Sequence, residues 1–170
     1  MNTPKTVSTQ GQNASLSGQD MENMVEDRLK RAGFRELSPK EKRTLTAGSV
    51  SYRDLGDRWY ARHVKLFRGL YEVKLFLDFF VYLEDRYPHG LIIECKSQEQ
   101  QGSVDEKYVY TVLSLKKMTK EHKAPAWLVF SGAGIRACAM EWVRKESTAN
   151  FKILTEGEMR RLMRQSFPMP

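Results

Sequence analysis

The sequence predicts an α/β domain in which a mixed central β-sheet carries helices on both faces. Three observations lead to this class. Apolar residues recur at helical spacing near both ends of the folded part, and two apolar strands in its middle are joined by a short polar loop. Beyond residue 103, helix-like and strand-like segments alternate. The predicted order is a helix, a meander of strands, and then helix, strand, helix, strand and helix.

The chain has 170 residues, of which 41% are hydrophobic and 29% charged. This length and composition predict one domain with a substantial core. Residues 1–19 are rich in Asn, Thr, Ser, Gln and Gly, and we expect an unfolded tail there. The folded domain is expected to span residues 20–166.

The net charge of +7 favours a polyanionic partner, with nucleic acid ahead of an acidic membrane. The chain lacks an apolar run of about 18 residues and an apolar leader, so we expect a cytoplasmic or nucleoid-associated protein that is neither secreted nor membrane-bound. The two cysteines, Cys95 and Cys138, are expected to be buried thiols in a reducing compartment. Two cysteines exclude a zinc site built from four thiolates.

The segment before the hairpin combines basic and aromatic residues. A first helix is predicted from Gln19 or Asp20 to Ala32, and Ser38 is expected to cap a short helix that begins at Pro39. A strand from Trp59 to Phe67 would carry Trp59, Ala61, His63, Lys65 and Phe67 on one face and Tyr60, Arg62 and Val64 on the other. Four basic residues of this segment suit phosphate contacts, although a solvated strand face is an equal alternative. They are Arg58, Arg62, Lys65 and Arg68.

The middle of the chain predicts a β-hairpin. One strand runs from Lys74 to Leu83, with Leu77 and Phe79 expected on one face and Asp78 and Phe80 on the other. A loop spans Glu84 to Gly90, and the partner strand runs from Leu91 to Ser97. If the hairpin folds about Arg86, residues whose numbers sum to 172 face each other. Asp78 is then opposite Glu94, and facing Cβ atoms lie roughly 4.5–5.5 Å apart.

The remaining elements follow from caps and periodicity. A helix begins at Ser103 and ends near Met118, and a later helix, Ile135 to Lys145, has Cys138 and Trp142 on its predicted core face. Two strands and a last helix complete the domain, at Ala126–Ser131, at Phe151–Leu154, and after the capping residue Thr155.

The hairpin also suggests chemistry. Asp78 and Glu94 offer oxygen ligands of the kind that Mg²⁺ or Mn²⁺ prefers, and the main-chain carbonyl of Cys95 could be a third ligand. Lys96 shares a strand face with Glu94 and could hold or deprotonate a water or neutralise developing charge. Glu22, on the first helix, could bind a second ion or orient the water. From spacing alone, a buried ion pair that supports the sheet is an equal alternative.

Two stretches, Leu77-Asp78-Phe79 and Ile93-Glu94-Cys95-Lys96, resemble the signature of the PD-(D/E)XK nuclease superfamily. The run from Gly18 to Glu22 resembles the first-helix motif of that superfamily. The run from Gly102 to Tyr110 is similar to a stretch that follows the ExK motif in a restriction-enzyme-like branch. The chain departs from the family pattern at Leu77 and at Val109, which stand where the family has proline.

The resemblance implies a restriction-endonuclease-like core and Mg²⁺-dependent hydrolysis of DNA, with Mn²⁺ as a possible substitute. Asp78 and Glu94 would be metal ligands, Lys96 the catalytic lysine and Glu22 an auxiliary acid. Gln98, Lys107 and Tyr110 would lie near the site and contact the DNA backbone or orient the lysine.

The resemblance implies a restriction, homing or phage endonuclease that acts as a homodimer or higher homo-oligomer. Two alternatives stay open: a structure-selective nuclease such as a Holliday junction resolvase, and a non-catalytic nucleic-acid-binding module on the same fold.

Overall fold

The computed structural model describes residues 10–98, 105–132, 134 and 136–168. Within these residues the chain forms one six-stranded sheet, five α-helices and a 3₁₀ helix, Arg53–Leu55. The strands are β1 (Arg35–Glu36), β2 (Arg58–Val64), β3 (Leu77–Leu83), β4 (Tyr87–Ser97), β5 (Ala126–Ser131) and β6 (Phe151–Thr155). The helices are α1 (Gln10–Arg31), α2 (Pro39–Thr46), α3 (Asp105–His122), α4 (Ala137–Lys145) and α5 (Glu156–Ser166).

The strands lie in the sheet in the order of the chain, from β1 to β6. Strands β2, β3 and β4 pair antiparallel, whereas β1 is parallel to β2, and β5 and β6 continue parallel from β4. The sheet is therefore mixed, and the predicted α/β class is confirmed. The additional strand β1 has only two residues, too few for an alternating pattern to indicate it.

Two apolar cores lie on opposite faces of the sheet. One face packs against α1 and α5, through residues such as Val25 and Met159. The other face packs against α2, α3 and α4, through residues such as Leu45, Val112 and Val143. Both faces of the central strands are thus removed from water, which explains their nearly continuous apolar sequence. No helix in the described part of the chain is both long and apolar enough to cross a membrane.

The register of the central hairpin agrees with the predicted pivot. Phe79 pairs with Ile93 and Phe80 pairs with Ile92, so the numbers of facing residues sum to 172. The predicted loop is wrong, because β4 already begins at Tyr87. An irregularity between Val81 and Leu83 shifts the last pairing to Leu83 and Tyr87 and permits this shorter turn.

Two predicted helix starts are confirmed by reciprocal capping bonds. Ser38 accepts from the backbone N–H of Glu41, whose carboxylate accepts from the N–H of Ser38. Thr155 and Glu158 form the same arrangement at the start of α5. Each cap satisfies N–H groups that lack partners in the first turn of a helix.

Several predicted bounds differ from the structure. Helix α1 begins at Gln10 instead of Gln19 or Asp20. Once a helix has formed, each further residue that becomes ordered adds a hydrogen bond, so the amphipathic helix can extend into the polar residues before it. Residues 1–9, Ser103 and Ile135 lie outside the described residues, so the predicted tail stays a prediction for that part. Helix α3 continues to His122.

The predicted core face of α4 is wrong at two positions. Cys138 is exposed, and Trp142 is 37% exposed. Helix α4 has only nine residues and buries only Val143 among them, so its apolar stripe is wider than its contact with the sheet.

We predict that Gly90→Ala lowers the free energy of unfolding by about 3 kcal/mol, because it adds steric overlap to backbone strain. Gly90 has a φ of 82°, and a Cβ at this position would lie 2.0 Å from the ring of Phe80. Gly48→Ala is the matched control, since Gly48 has a φ of 70° and no neighbour within 4 Å. Its expected cost is about 1 kcal/mol. Urea denaturation measures both values, and equal costs would refute the close packing of Gly90 on Phe80.

Candidate metal centre

The backbone hydrogen bonds between β3 and β4 end before Asp78, and the carboxylates of Asp78 and Glu94 lie between the two strands beyond that point. We call this space the gap. The pairing of Phe79 with Ile93 is the last on this side. Beyond it, the backbone N–H of Asp78 donates to the Glu94 carboxylate at 3.2 Å, and the N–H of Cys95 donates to the Asp78 carboxylate at 2.8 Å. Side chains therefore replace strand carbonyls as acceptors, and Asp78 and Glu94 lie side by side as the predicted register requires.

Lys96 lies on the same side of β4 as Glu94. Its ammonium Nζ is 2.5 Å from Glu94 Oε1, and the Glu94 side chain is only 10% exposed against 34% for Lys96. The lysine therefore reaches from the buried carboxylates towards solvent.

The electrostatics of the gap disfavour two ionised carboxylates. Burial, and then the charge of Asp78, raise the pKa of Glu94 to about 7. Burial is also the main reason why the pKa of Asp78 is raised. Burial opposes the charged form of Lys96, but the Glu94 and Asp78 carboxylates outweigh it and raise the pKa of Lys96. Two acids thus share one nearby ammonium, and a further cation would stabilise the ionised pair.

Cys95 contributes its backbone and not its thiol. The thiol is buried in the apolar core that packs against α1 and α5, and burial raises its pKa well above the ordinary value. In an extended strand the N–H and C=O of one residue point to the same side. Because the N–H of Cys95 faces Asp78, its carbonyl oxygen is directed into the same gap.

Helix α1 brings a third carboxylate to the gap. Met21, Val25 and Leu29 form the apolar stripe that packs on the sheet, and Glu22 lies beside it. Ligand atoms of Glu22, His63 and Asp78 all lie within 4.8 Å of one another. Two carboxylate oxygens and an imidazole nitrogen therefore form a second donor set, which shares Asp78 with the pair of Asp78 and Glu94.

The sequence prediction missed His63. Strict alternation put it on the face of Trp59 and Ala61, but His63 has a φ of 49°, and Val64 takes the place on that face. The His63 side chain lies instead beside Glu22, with Nε2 at 3.0 Å from a carboxylate oxygen. Alternation with a period of two cannot predict this position of His63, because His63 lies beside Glu22 only where the alternation of β2 is broken.

The alternation of β3 is broken at the same place, so that Leu77 lies on the opposite face of the sheet from the one predicted. Leu77 was predicted on the face of Phe79, but it packs with Phe80 in the opposite core. In the β2–β3 register, where Arg62 pairs with Phe79 and Val64 with Leu77, His63 is the residue that falls opposite Asp78. Both strands therefore change their alternation together at the gap.

Arg62 lies on the predicted strand face, with Tyr60, and its partners there are carboxylates of α1. Its side chain is 18% exposed, and its guanidinium lies 5.3 Å from the centre of the Phe79 ring and pairs with Glu26 and with Glu22 at 2.8 Å. These two ion pairs hold the guanidinium against α1, and its predicted contact with phosphate stays a prediction. Arg58 caps the end of α1 by donating to the Ala32 carbonyl at 2.9 Å, and lies five strand residues, about 17 Å, from His63.

The other predicted contacts lie near the gap. Gln98, Lys107 and Tyr110 line a cleft of about 650 Å³ together with Lys96 and Tyr71. Lys65 and Arg68 are exposed in the segment that leaves β2 at its site end. Three of the seven residues predicted to contact nucleic acid therefore line one cleft with Lys96, and their contact with nucleic acid stays a prediction.

A family model described as a PD-(D/E)XK nuclease superfamily domain matches residues 13–166. The chain belongs to this superfamily. Its mixed sheet with helices on both faces is the restriction-endonuclease-like core of that family.

No curated protein matches the chain in sequence. In structure, the chain is similar to the protein VC1899 from Vibrio cholerae, with a TM-score of 0.47 and 18% sequence identity. The match covers 86% of this chain and 33% of that protein, so the chain spans about a third of its length.

We predict that the metal-free protein loses stability as the pH rises from 5 to 8. The pKa of Glu94 is raised from 4.5 to about 7 in the folded state, so the stability that its proton contributes is complete below pH 4.5 and lost as the pH rises through 7. The melting temperature should fall by about 5 °C over this range. Differential scanning calorimetry in EDTA measures it.

Glu94→Gln is the matched control, because it keeps the shape and removes the titration. Its melting temperature should vary less over the same range, and saturating Mg²⁺ should reduce the fall in the natural protein by replacing the proton. An identical pH dependence in both proteins would contradict the raised pKa of Glu94.

Proposed function

We propose that the protein is a metal-dependent endonuclease that hydrolyses phosphodiester bonds in DNA. The observation that carries this function is the gap between β3 and β4, where the half-buried Asp78 lies beside the buried Glu94 with Lys96 at the solvent edge. Membership of the superfamily supports a nuclease, and the acids and lysine of the signature are all present.

The donor set fits Mg²⁺ or Mn²⁺. Asp78, Glu94 and the carbonyl of Cys95 would hold the ion, since they are hard oxygen ligands in a region with excess negative charge. A bound ion would lower the pKa of a coordinated water and polarise a phosphoryl oxygen. Glu22 and His63 would bind a second ion or orient the water from the side of α1.

In the metal-free site the neighbouring carboxylates raise the pKa of Lys96 and favour its charged form. A charged Lys96 can donate a hydrogen bond and neutralise negative charge. Its Nζ stands between the buried acids and the cleft, so it can contact the attacking water and the phosphate together.

Arg62, on β2, holds the Glu22 side chain of α1 in place. It pairs with both Glu22 and Glu26, which are four residues apart on α1 and so project from one side of that helix. This pairing fixes the direction of the Glu22 side chain towards Asp78 and neutralises part of its charge.

DNA is the proposed substrate because the net charge is +7 and Lys96 and Lys107 line the cleft. A homodimer or higher homo-oligomer would place two sites on the two strands of a duplex, which a domain of this size does not enclose alone.

A structure-selective nuclease is the second candidate, and exposed aromatic side chains beside the cleft favour it. A non-catalytic binding module is disfavoured by the intact set of Asp78, Glu94 and Lys96.

We predict that Lys96→Met lowers the rate of plasmid cleavage in Mg²⁺ by about 10²- to 10⁴-fold, because it removes the group that stabilises charge in the transition state. Gel analysis of nicked and linear plasmid measures the rate, and EDTA should abolish cleavage by the natural protein.

Lys145→Met on α4 is the matched control, since the Lys145 side chain is 70% exposed and pairs with Glu141 of the same helix. It should cleave at the natural rate. Comparable melting temperatures for both variants exclude misfolding. Cleavage by Lys96→Met at a rate within a few-fold of the control would refute the role of Lys96, and DNA binding without any metal-dependent cleavage by the natural protein would identify a non-catalytic module.

A further inference from the structure

The segment that joins β2 to β3, residues 65–76, presents large apolar side chains to solvent, and we name it the aromatic loop. Its exposed members are Leu70, Tyr71, Val73 and Phe76. Tyr71 is 72% exposed and Phe76 is 62% exposed, although the chain buries most of its other aromatic rings. A concentration of exposed apolar side chains beside a functional cleft indicates a binding surface.

The aromatic loop has a defined shape. Gly69 donates to the Val73 carbonyl at 2.9 Å, and Leu75 donates to the Phe67 carbonyl at 3.2 Å, which closes the tip. The N–H of Leu70 donates to the Ser114 hydroxyl of α3 at 3.2 Å and anchors the tip to that helix. The direction of the exposed side chains is therefore set by backbone bonds.

The loop places one ring at the mouth of the cleft. Tyr71 stacks on Tyr110 of α3, with ring centres 5.3 Å apart and planes inclined by 24°. Both tyrosines line the cleft that contains Lys96, Gln98 and Lys107. The outer face of Tyr71 is exposed, so a flat apolar group can extend the stack next to the catalytic lysine.

The charges around the loop favour an anionic partner. Lys65 lies over the Phe76 ring at 4.2 Å, and Arg68 and Lys74 are exposed on the same segment. The acidic residue of the loop, Glu72, pairs with Lys117 at 3.0 Å. A second copy of this surface would bring positive charges together, whereas a nucleic acid supplies both phosphates and apolar base faces.

On the basis of the nuclease function above, we propose that Tyr71 and Tyr110 form a stacking platform for an unpaired base. In a continuous duplex both faces of every base are covered by neighbouring bases, so only a single strand, a flap or a branch point offers a free face. The substrate class is therefore DNA with unpaired nucleotides next to the scissile phosphate. Lys65, Arg68 and Lys74 bind the phosphates of the unpaired strand.

Fluorescence anisotropy in EDTA tests the platform without cleavage, with a labelled forked duplex and the same strand fully paired. The natural protein should bind the fork at least tenfold more tightly than the duplex. Tyr71→Ala should weaken binding to the fork by about ten- to a hundredfold and leave duplex binding nearly unchanged. Tyr71→Phe should retain most of the preference because it keeps the ring.

Trp142→Ala is the matched control, because Trp142 is an exposed aromatic on α4 that does not line this cleft. It should not change the ratio of the two affinities. A fork labelled with 2-aminopurine at its first unpaired position adds a direct readout, since stacking on Tyr71 should change its fluorescence in the natural protein and not in Tyr71→Ala.

Three results overturn the platform. One is equal binding of fork and duplex by the natural protein, and another is an equal effect of Tyr71→Ala on both substrates. The third is conversion of a dimer to a monomer by Tyr71→Ala in sedimentation, with an unchanged affinity ratio, which would show a self-association surface. Mg²⁺-dependent plasmid cleavage without a fork preference would refute the platform alone, and a fork preference without cleavage in any divalent metal would refute the nuclease function alone.

Discussion

The placement of two carboxylates in the gap between β3 and β4, with Glu94 buried and Asp78 half-buried, is the constraint on which the rest of the site depends. Asp78 and Glu94 accept hydrogen bonds from backbone N–H groups that would otherwise belong to the ladder. These bonds and the Lys96 ammonium offset part of the cost of desolvating two like charges. The remaining excess of negative charge is the physical reason to expect a divalent cation between Asp78 and Glu94. The two carboxylates come together only in this register of the hairpin, so a cation site here depends on that register.

The end of β2 organises the second half of the site. At His63 the strand leaves its regular alternation, which places the imidazole beside Glu22 while Arg62 fixes that acid from the sheet. The chain then leaves the sheet as the aromatic loop, which returns to enter β3 just before Asp78. The irregular end of β2 thus places the His63 imidazole, a possible metal ligand, beside Glu22 and places Arg62 where it orients Glu22. The loop that follows positions Tyr71 at the cleft.

The fold and the centre of the site were predictable because they depend on local rules. The pivot at Arg86 sufficed to place Asp78 opposite Glu94, although the alternation of β3 changes at Leu77, and Ser38 and Thr155 marked helix starts through their capping boxes. The role of Arg62 and the position of His63 depend on how α1 crosses the sheet and on a single positive φ. Neither is encoded in periodicity, and the exposure of Trp142 likewise depends on how much of α4 reaches its neighbours.

Anomalous diffraction from a crystal soaked in Mn²⁺ tests the central claim most directly, because it locates the ion without relying on activity. A peak within about 2.5 Å of oxygen atoms of Asp78 and Glu94 and of the Cys95 carbonyl is the predicted result. Lys96 should then have moved from Glu94 towards the cleft. A saturating soak that leaves the gap without a peak and the Lys96–Glu94 contact intact would contradict the account and identify a structural ion pair.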